Sequence, residues 1–355
     1  MVERISTATR YAQLVADMKI NQFNFNKLTA QLSSGKKLTS ITDDPIASVN
    51  YVNTSRQLGR IETYEQNVNM ATSELSALDD FMELARGYLQ TAWDKAVQAN
   101  NQTYNGNSLR AMKTEIDEIT KTMVDLANAE YDDNYIFAGA NTKLIPYEID
   151  ENGYINYYGT PSDNSDYVRQ TEVADGVFEV INTTGDKVFG YFMQEDVTRD
   201  VDGKIVTLDK DDNKYYYEDG TEYTGDIADL TTTKEDKAEG VMGALKLLSQ
   251  SIQMVLDGDT ENGYKQMNAT LDMFSNAHND ILNQQTKFGG VYNRMEMSAS
   301  TLETTGENLT SYITDLNSVD YATAITQWMN AQYAYQASLQ VAAGSMNMSL
   351  LNYIQ

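Results

Sequence analysis

The 355-residue sequence contains no cysteine, three prolines, one histidine and two tryptophans. Without cysteine there is no disulfide, no thiolate metal site and no cysteine nucleophile. A single imidazole excludes a two-histidine zinc motif. Positive charge is scarce too: 26 Lys+Arg face 52 Asp+Glu, a net charge of −26. Phosphate backbones and anionic lipids repel such a polyanion, so no nucleic acid is expected as a partner. No window approaches 18 apolar residues, so no membrane insertion is expected. Residues 1–15 lack the apolar stretch of an ordinary secretory signal, which rules out only the commonest export route.

The prolines are Pro45, Pro146 and Pro161, so 46–145 and 162–355 are free to form long helices. Heptad spacing runs through both stretches. Leu75, Leu78, Met82, Ala85, Leu89, Ala92 and Ala96 follow at steps of three and four. Beyond a loop at 100–106, Leu109, Met112, Ile116, Ile119, Met123 and Leu126 continue the pattern. A longer run starts at Leu271 and passes Phe274, His278, Ile281, Gln285, Phe288, Tyr292, Met295, Ala299 and Leu302 to Leu316. A stripe two positions wide in seven predicts a coiled-coil seam. His278 reads as a hydrogen-bonded register residue in that seam rather than a general base. Gly289-Gly290 reads as a close helix approach or a kink.

Residues 145–236 differ from the rest. They hold 23 acidic and 7 basic residues, ten of the 24 tyrosines and one methionine. Asn152-Gly153, Asp175-Gly176, Asp202-Gly203 and Asp219-Gly220 supply primed-turn dipeptides between short apolar runs. These features predict a small antiparallel β domain with short strands. Asp209, Asp211 and Asn213 imitate the start of a calcium loop, but Lys214 and Gly220 stand where Gly and Glu are required. An acidic hairpin is the better reading, and the same holds for Asp200, Asp202 and Gly203. Asn-x-Ser/Thr triplets such as the one at Asn182 are expected by chance in an Asn- and Thr-rich chain. No carboxylate pair stands out for acid–base work, and no catalytic, cofactor or metal residue is assigned.

The ends are amphipathic. Leu14, Met18, Phe25, Leu28 and Leu32 share a face, as do Ala324, Trp328, Ala331, Tyr335, Leu339, Ala342 and Met346. Leu350, Leu351 and Tyr353 extend the second set. These residues are expected to mediate subunit assembly, with each end pairing with the other or with further subunits. Between α-helical segments, Ser34 and Gly35 read as a helix stop, with Gly35 in a left-handed conformation. Asp43, Asp44 and Pro45 read as the next start, with Asp44 as N-cap and Pro45 in the first turn. The expected organisation is mainly α: a long coiled-coil or helix-bundle rod built from both halves of the chain, with the β domain inserted. Residues 1–44 and 311–355 form terminal helices of an inner layer, poorly ordered in the monomer. Residues 45–144 and 237–310 form the helical rod, and 145–236 the acidic insert.

Several motifs in order resemble the flagellin superfamily, in its hook–filament junction branch. They are Arg4-Ile5-Ser6-Thr7 with Tyr11; Leu32-Ser33-Ser34-Gly35-Lys36 with Asp43-Asp44-Pro45; and Asn134-Tyr135-Ile136-Phe137-Ala138-Gly139. Gly290 to Arg294 with Glu296, Asp320-Tyr321-Ala322-Thr323-Ala324, Gln336-Ala337-Ser338-Leu339 and Ser349-Leu350-Leu351-Asn352-Tyr353-Ile354 follow. The resemblance implies a structural adaptor rather than an enzyme. It would be exported unfolded by the flagellar type III apparatus with a cytosolic export chaperone, and assembled outside the cell as a helical ring. Its implied partners are copies of itself, the first hook–filament junction protein (FlgK-like) and flagellin, and no cofactor is implied. The alternatives are a flagellin filament subunit, a calcium- or ligand-binding module on the insert, and a coiled-coil protein without a flagellar role.

Overall fold

Val68, Ala71, Leu75, Leu78, Met82, Ala85, Leu89, Ala92, Ala96 and Ala99 follow one another at steps of three and four, and all are buried. They lie on α2 (Pro45–Ala99) of a computed structural model. That structure describes residues 7–162, 168–209, 214–219 and 221–354, without the side chains of 7–8, 209, 228 and 345–354. The other helices are α1 (Thr7–Ser34), α3 (Gly106–Ala127), the short α4 (Gly185–Val188), α5 (Gly240–Asp257), α6 (Thr260–Asn317) and α7 (Tyr321–Ile354). The chain is mainly α-helical, with antiparallel strands inserted between its N- and C-terminal helices. It divides into two compact units: Met1–Tyr64 with Ser300–Gln355, and Glu65–Ala299.

Within the second unit, α6 buries Phe274, Ala277, Ile281, Phe288, Val291 and Met295, and Leu302 continues the run in the first. The large residues of the expected seam are in place, but their partners are shifted by one. Ala277 and Val291 are buried where the spacing pointed to His278 and Tyr292. Both choices lie near the seam of a helix with 3.6 residues per turn, and packing selects the more apolar one. The His278 ring lies at the seam's edge, its centroid 6.3 Å from that of Trp93. Its Nδ1 is buried without a hydrogen-bond partner, which corrects the hydrogen-bonded reading. Gln285 does link α6 to α2: its Nε2 donates to Asp79 Oδ1 at 3.0 Å. Asn100 Nδ2 donates to Asn268 Oδ1 at 2.7 Å at another level of the pair.

Gly289 and Gly290 require a different explanation from the one expected. A Cβ at either position would meet nothing within 4 Å, so no partner helix approaches closely there. The helix runs through both without a break. Each glycine costs about 1 kcal/mol of helix stability relative to Ala.

On α3 the buried set is broader than a seam: Thr120, Val124 and Ala127 join Leu109, Met112, Ile116, Ile119 and Met123. The wider face packs against α5, where Val241, Met242, Ala244, Leu245, Leu248 and Ile252 are buried. The α5 sequence is apolar on most sides, the mark of an internal helix. The Asn105 side chain caps α3, accepting Ser108 N at 2.9 Å.

The strands begin before residue 145 and extend past 236. A hairpin of β1 (Glu130–Tyr131) and β2 (Asn134–Tyr135) turns at Asp132 and Asp133, both with positive φ. That turn lacks the glycine dipeptide that marks such sites in sequence. A four-stranded sheet has the order β10-β7-β4-β3, built from β3 (Tyr147–Ile149), β4 (Ile155–Tyr157), β7 (Tyr191–Arg199) and β10 (Thr231–Glu239). Strands β7 and β10 are nine residues each, longer than expected. The Thr-Thr-Thr-Lys-Glu-Asp-Lys-Ala-Glu sequence of β10 has no apolar alternation, so its strand character comes from pairing with β7. Two separate hairpins complete the insert: β5 (Gln170–Ala174) with β6 (Val177–Val180), and β8 (Val206–Asp209) with β9 (Lys214–Tyr217). Gly153, Gly176 and Gly203 take the positive φ of their turns; Gly220 lies outside the described residues. Phe137, Tyr147, Ile155, Phe189 and Phe192 form the fully buried aromatic and aliphatic centre here. Phe137 and Phe189 meet edge to face, centroids 4.8 Å apart.

Truncating the fully buried Phe274 to Ala should cost about 3–5 kcal/mol in denaturant unfolding. Leu84→Ala, at a half-exposed position on α2, should stay within about 0.5 kcal/mol. Similar losses for both would contradict this assignment of the core.

Candidate functional site

Among the half-buried residues described on α1, seven are spaced by three and four: Tyr11, Leu14, Met18, Asn21, Phe25, Leu28 and Leu32. Opposite them α7 presents Ala324, Trp328, Ala331, Tyr335, Ser338 and Ala342 at the same spacing. Phe25 is the centre of the pair. Its ring stacks on Tyr335, with centroids 5.9 Å apart and planes at 10°. Trp328 covers it from another side at 5.7 Å. The indole N–H donates to Thr29 Oγ1 at 2.8 Å, and that hydroxyl donates to Phe25 O, also at 2.8 Å. The polar edges of the aromatic cluster are thus satisfied along with its faces.

Leu14, Met18, Phe25, Leu28, Leu32, Trp328 and Tyr335 are brought together in this intramolecular seam. Leu339 is not: it is 42 % exposed, and Ser338 takes the seam position. The reason is again spacing, since steps of 4,3,4,3 from Ala324 lead to 338 rather than 339. The side chains of Met346, Leu350, Leu351 and Tyr353 lie outside the described ones, on a helix whose backbone continues to Ile354.

Exposed apolar side chains remain on the first unit after the pair has formed. On α1 they are Val15, Ile20 and Phe23, the last 65 % exposed. On α7, Tyr321, Ile325, Met329 and Tyr333 recur every four residues, followed by Leu339 and Val341. Ile41, Ile46, Val49 and Val52 add a second group around the start of α2. The charge balance favours contact as well. Residues 1–64 and 300–355 carry eight basic and nine acidic side chains, leaving 25 of the 26 excess negative charges to residues 65–299. Helix α7 has no charged residue in its 34 positions.

The joint between α1 and α2 is held by specific polar contacts. Ser34 ends α1 with its hydroxyl donating to Ala30 O at 2.8 Å. Gly35 follows with φ +69°, and a Cβ there would lie 2.8 Å from the Tyr321 hydroxyl oxygen. The left-handed backbone favours glycine here, whereas the Tyr321 hydroxyl is the tip of an exposed side chain that can move aside. The chain then runs beside the α6–α7 turn. Lys37 N donates to Asn317 O at 2.7 Å, Leu38 N to Asn317 Oδ1 at 2.8 Å, and Val319 N to Gly35 O at 3.2 Å. Asp44 caps α2 by accepting Ala47 N at 3.0 Å, and Pro45 is the first residue of that helix.

Asp43 closes the loop. Its Oδ2 accepts Thr39 N at 3.0 Å, Thr39 Oγ1 at 2.8 Å and Ser40 N at 2.9 Å. Its Oδ1 pairs with Lys27 Nζ of α1 at 2.8 Å, and only 9 % of the side chain is exposed. The Lys27 ammonium, opposed by partial desolvation and aided by the Thr39 and Ser40 donors, holds the carboxyl well below the usual range. Sequence reasoning missed Lys27, Thr29 and Asn317, whose roles depend on partners brought in by the fold. It also left Asp320 without a role. Asp320 caps α7 through Ala322 N at 3.1 Å and Thr323 Oγ1 at 2.6 Å, and an Asp just before a helical run was a readable signal.

Elsewhere the candidate chemistry resolves into structure. Asp200 Oδ1 accepts Asp202 N and Lys204 N in a tight turn. Positions 211–213 of the calcium-like loop lie outside the described residues. Among the described residues no group of three potential ligands is placed to hold a metal. Asn182 is buried and accepts Arg169 N at 2.7 Å. A cavity of 440 Å³ is lined by Asn69, Glu74, Tyr131, Asp132 and Arg169, among others, and the Glu74 carboxylate there is occupied by Arg169.

The comparisons with known proteins bear on the helical arms. The bacterial flagellin N-terminal helical region matches residues 5–142, and the C-terminal helical region matches 271–354. Flagellar hook-associated protein 3 of Escherichia coli (strain K12) is 24 % identical over 348 residues, 98 % of each chain. A flagellin of Clostridium tyrobutyricum is 21 % identical, over 88 % of this chain and 90 % of its own. The crystal structure of the flagellar junction protein FlgL from Legionella pneumophila superposes with a TM-score of 0.52 at 16 % identity. It covers 77 % of this chain and all of its own, and shows a shared fold.

The depressed pKa of Asp43 makes the joint sensitive to acid, with a definite sign. Its contribution is complete above the unfolded Asp value of about 4 and declines as pH falls below it. Protection of the Thr39 and Ser40 amides should be constant from pH 8 to about 4 and fall below that. In Asp43→Ala it should be low throughout, a local loss of about 1–2 kcal/mol. A variant that keeps full protection would refute the role given to this carboxylate.

Proposed function

Because the chain belongs to the flagellin superfamily, we propose that it is the structural adaptor that joins the flagellar hook to the flagellin filament. The observation that carries this reading is its likeness to hook-associated protein 3 along 98 % of both chains. The likeness to a flagellin is lower in identity and covers less of either chain. In this role the protein is exported to the flagellum and assembles as a helical ring at the hook–filament junction. Its contacts on one side are with the first junction protein and on the other with flagellin, after release from an export chaperone.

The proposed division of labour keeps the layers expected from the sequence. Residues 1–44 and 311–355 order into the inner layer of the ring. Residues 45–144 and 237–310 form the helical layer around it, and 145–236 the acidic outer part. Intramolecular pairing occupies the Phe25–Trp328–Tyr335 side of the terminal helices. Phe23, Ile325, Met329, Tyr333 and Leu339 remain exposed and are the surface offered to neighbouring subunits. Heterologous contacts repeated around an axis generate a ring or helix when such a surface meets a different, complementary one on the next subunit. Assembly completes the ordering of the terminal helices, the marginal part of the free chain, by burying the apolar surface that their pairing leaves exposed. Leu350, Leu351 and Tyr353, whose side chains lie outside the described ones, are assigned to the same assembly role from the sequence.

Tyr333→Asp should leave unfolding of the monomer within about 0.5 kcal/mol of wild type, since the side chain is exposed. It should block incorporation into flagella by placing a charge in a desolvated subunit contact. Removal of the last ten residues should also abolish incorporation while the 65–299 unit stays folded. Normal filament growth on cells carrying either variant would refute this assembly surface.

A further inference from the structure

Among the described residues, the β5–β6 hairpin makes no strand pairing with the rest of the insert. A lone two-stranded hairpin is marginal in water, so something else must hold it in place. On one side Arg169, at its entry, donates through Nη2 to both Glu74 carboxylate oxygens on α2 at 2.7 and 2.8 Å. Asn67 Nδ2, also on α2, donates to Glu172 O at 2.9 Å. On the other side Glu179 of β6 is paired with Arg294 of α6, which donates from Nε to Oε1 at 2.8 Å and from Nη2 to Oε2. Glu74 and Glu179 are largely shielded, with side-chain exposures of 17 % and 16 %. Just beyond β6, Thr183 Oγ1 lies 3.5 Å from Gln284 Oε1 of α6. Val173 supplies the hairpin's buried apolar residue.

The attachment points on α6 flank the stretch of low helix propensity at its paired glycines. Gln284 and Arg294 lie on either side of Gly289-Gly290, where open space surrounds both glycines and nothing in the packing requires them. Glycine removes the local stiffness that a Cβ gives a helix. We propose that the β5–β6 hairpin is an ionic splint that ties α2 to α6 and keeps α6 straight across a glycine hinge. Release of the Arg294–Glu179 pair frees α6 to bend at residues 289–290. The outer β region thereby controls the stiffness of the helical body through one bidentate ion pair at each edge of a hairpin.

Native-state hydrogen exchange on the full chain tests this, read as protection factors. Glu179→Gln should accelerate exchange of the amides at 286–293 by about 5–20-fold, while those at 265–280 change less than twofold. In a Gly289→Ala/Gly290→Ala background the same substitution should change 286–293 by less than twofold, because the hinge is gone. Exchanging the charges, with Glu179→Arg and Arg294→Glu together, should restore most of the lost protection. Uniform acceleration along α6, no acceleration, or an undiminished effect in the double-alanine background would each overturn the proposal.

Discussion

The pairing of α7 with α1 is the interaction on which the architecture depends. It joins segments some three hundred residues apart in sequence around one aromatic cluster, Phe25 with Trp328 and Tyr335. Closing a loop of that size costs entropy that grows only slowly with length, so the insert between the arms can be large at little expense. The α6–α7 turn then lies beside the joint, where Asn317 satisfies the backbone of Lys37 and Leu38. Helices α1 and α7 and the joint thereby become one unit.

Electrostatics separates the two units sharply. The terminal unit is nearly neutral and α7 is uncharged, whereas residues 65–299 carry a net −25. Neutral apolar faces associate without like-charge repulsion at short range. The acidic remainder keeps free chains apart until screened, over a distance of about 10 Å in ordinary salt. On the proposed reading, solubility before assembly and adhesion during it reside in different parts of the chain. This distribution suits a subunit that must travel alone and then pack closely with others.

Much of this organisation was legible in the sequence where one side chain dominated its position. Large residues every seven positions on α6, from Phe274 through Ile281, Phe288 and Met295 to Leu302, identify the helix and its inward side. The intervening positions did not, because Ala277 and His278 are nearly equivalent by spacing and packing chooses between them. Leu339 was misplaced for the same reason: its hydrophobicity outweighed a one-residue phase error that put the small Ser338 in the seam. The Asp132-Asp133 turn and the polar strand β10 carried no local signal. Their conformations are imposed by partners, as are the roles of Lys27 and Asn317. Gly35 and Asp44 were readable because helix ends have local chemistry, whereas Gly289-Gly290 was misread because a sequence does not say whether a glycine faces a neighbour or open space.

Immunogold labelling of intact flagella tests the central claim most directly, with antibodies raised against residues 145–236. An adaptor built on the paired terminal helices predicts a single band where hook meets filament. Label distributed along the whole filament would contradict that account and identify the chain as a filament subunit instead.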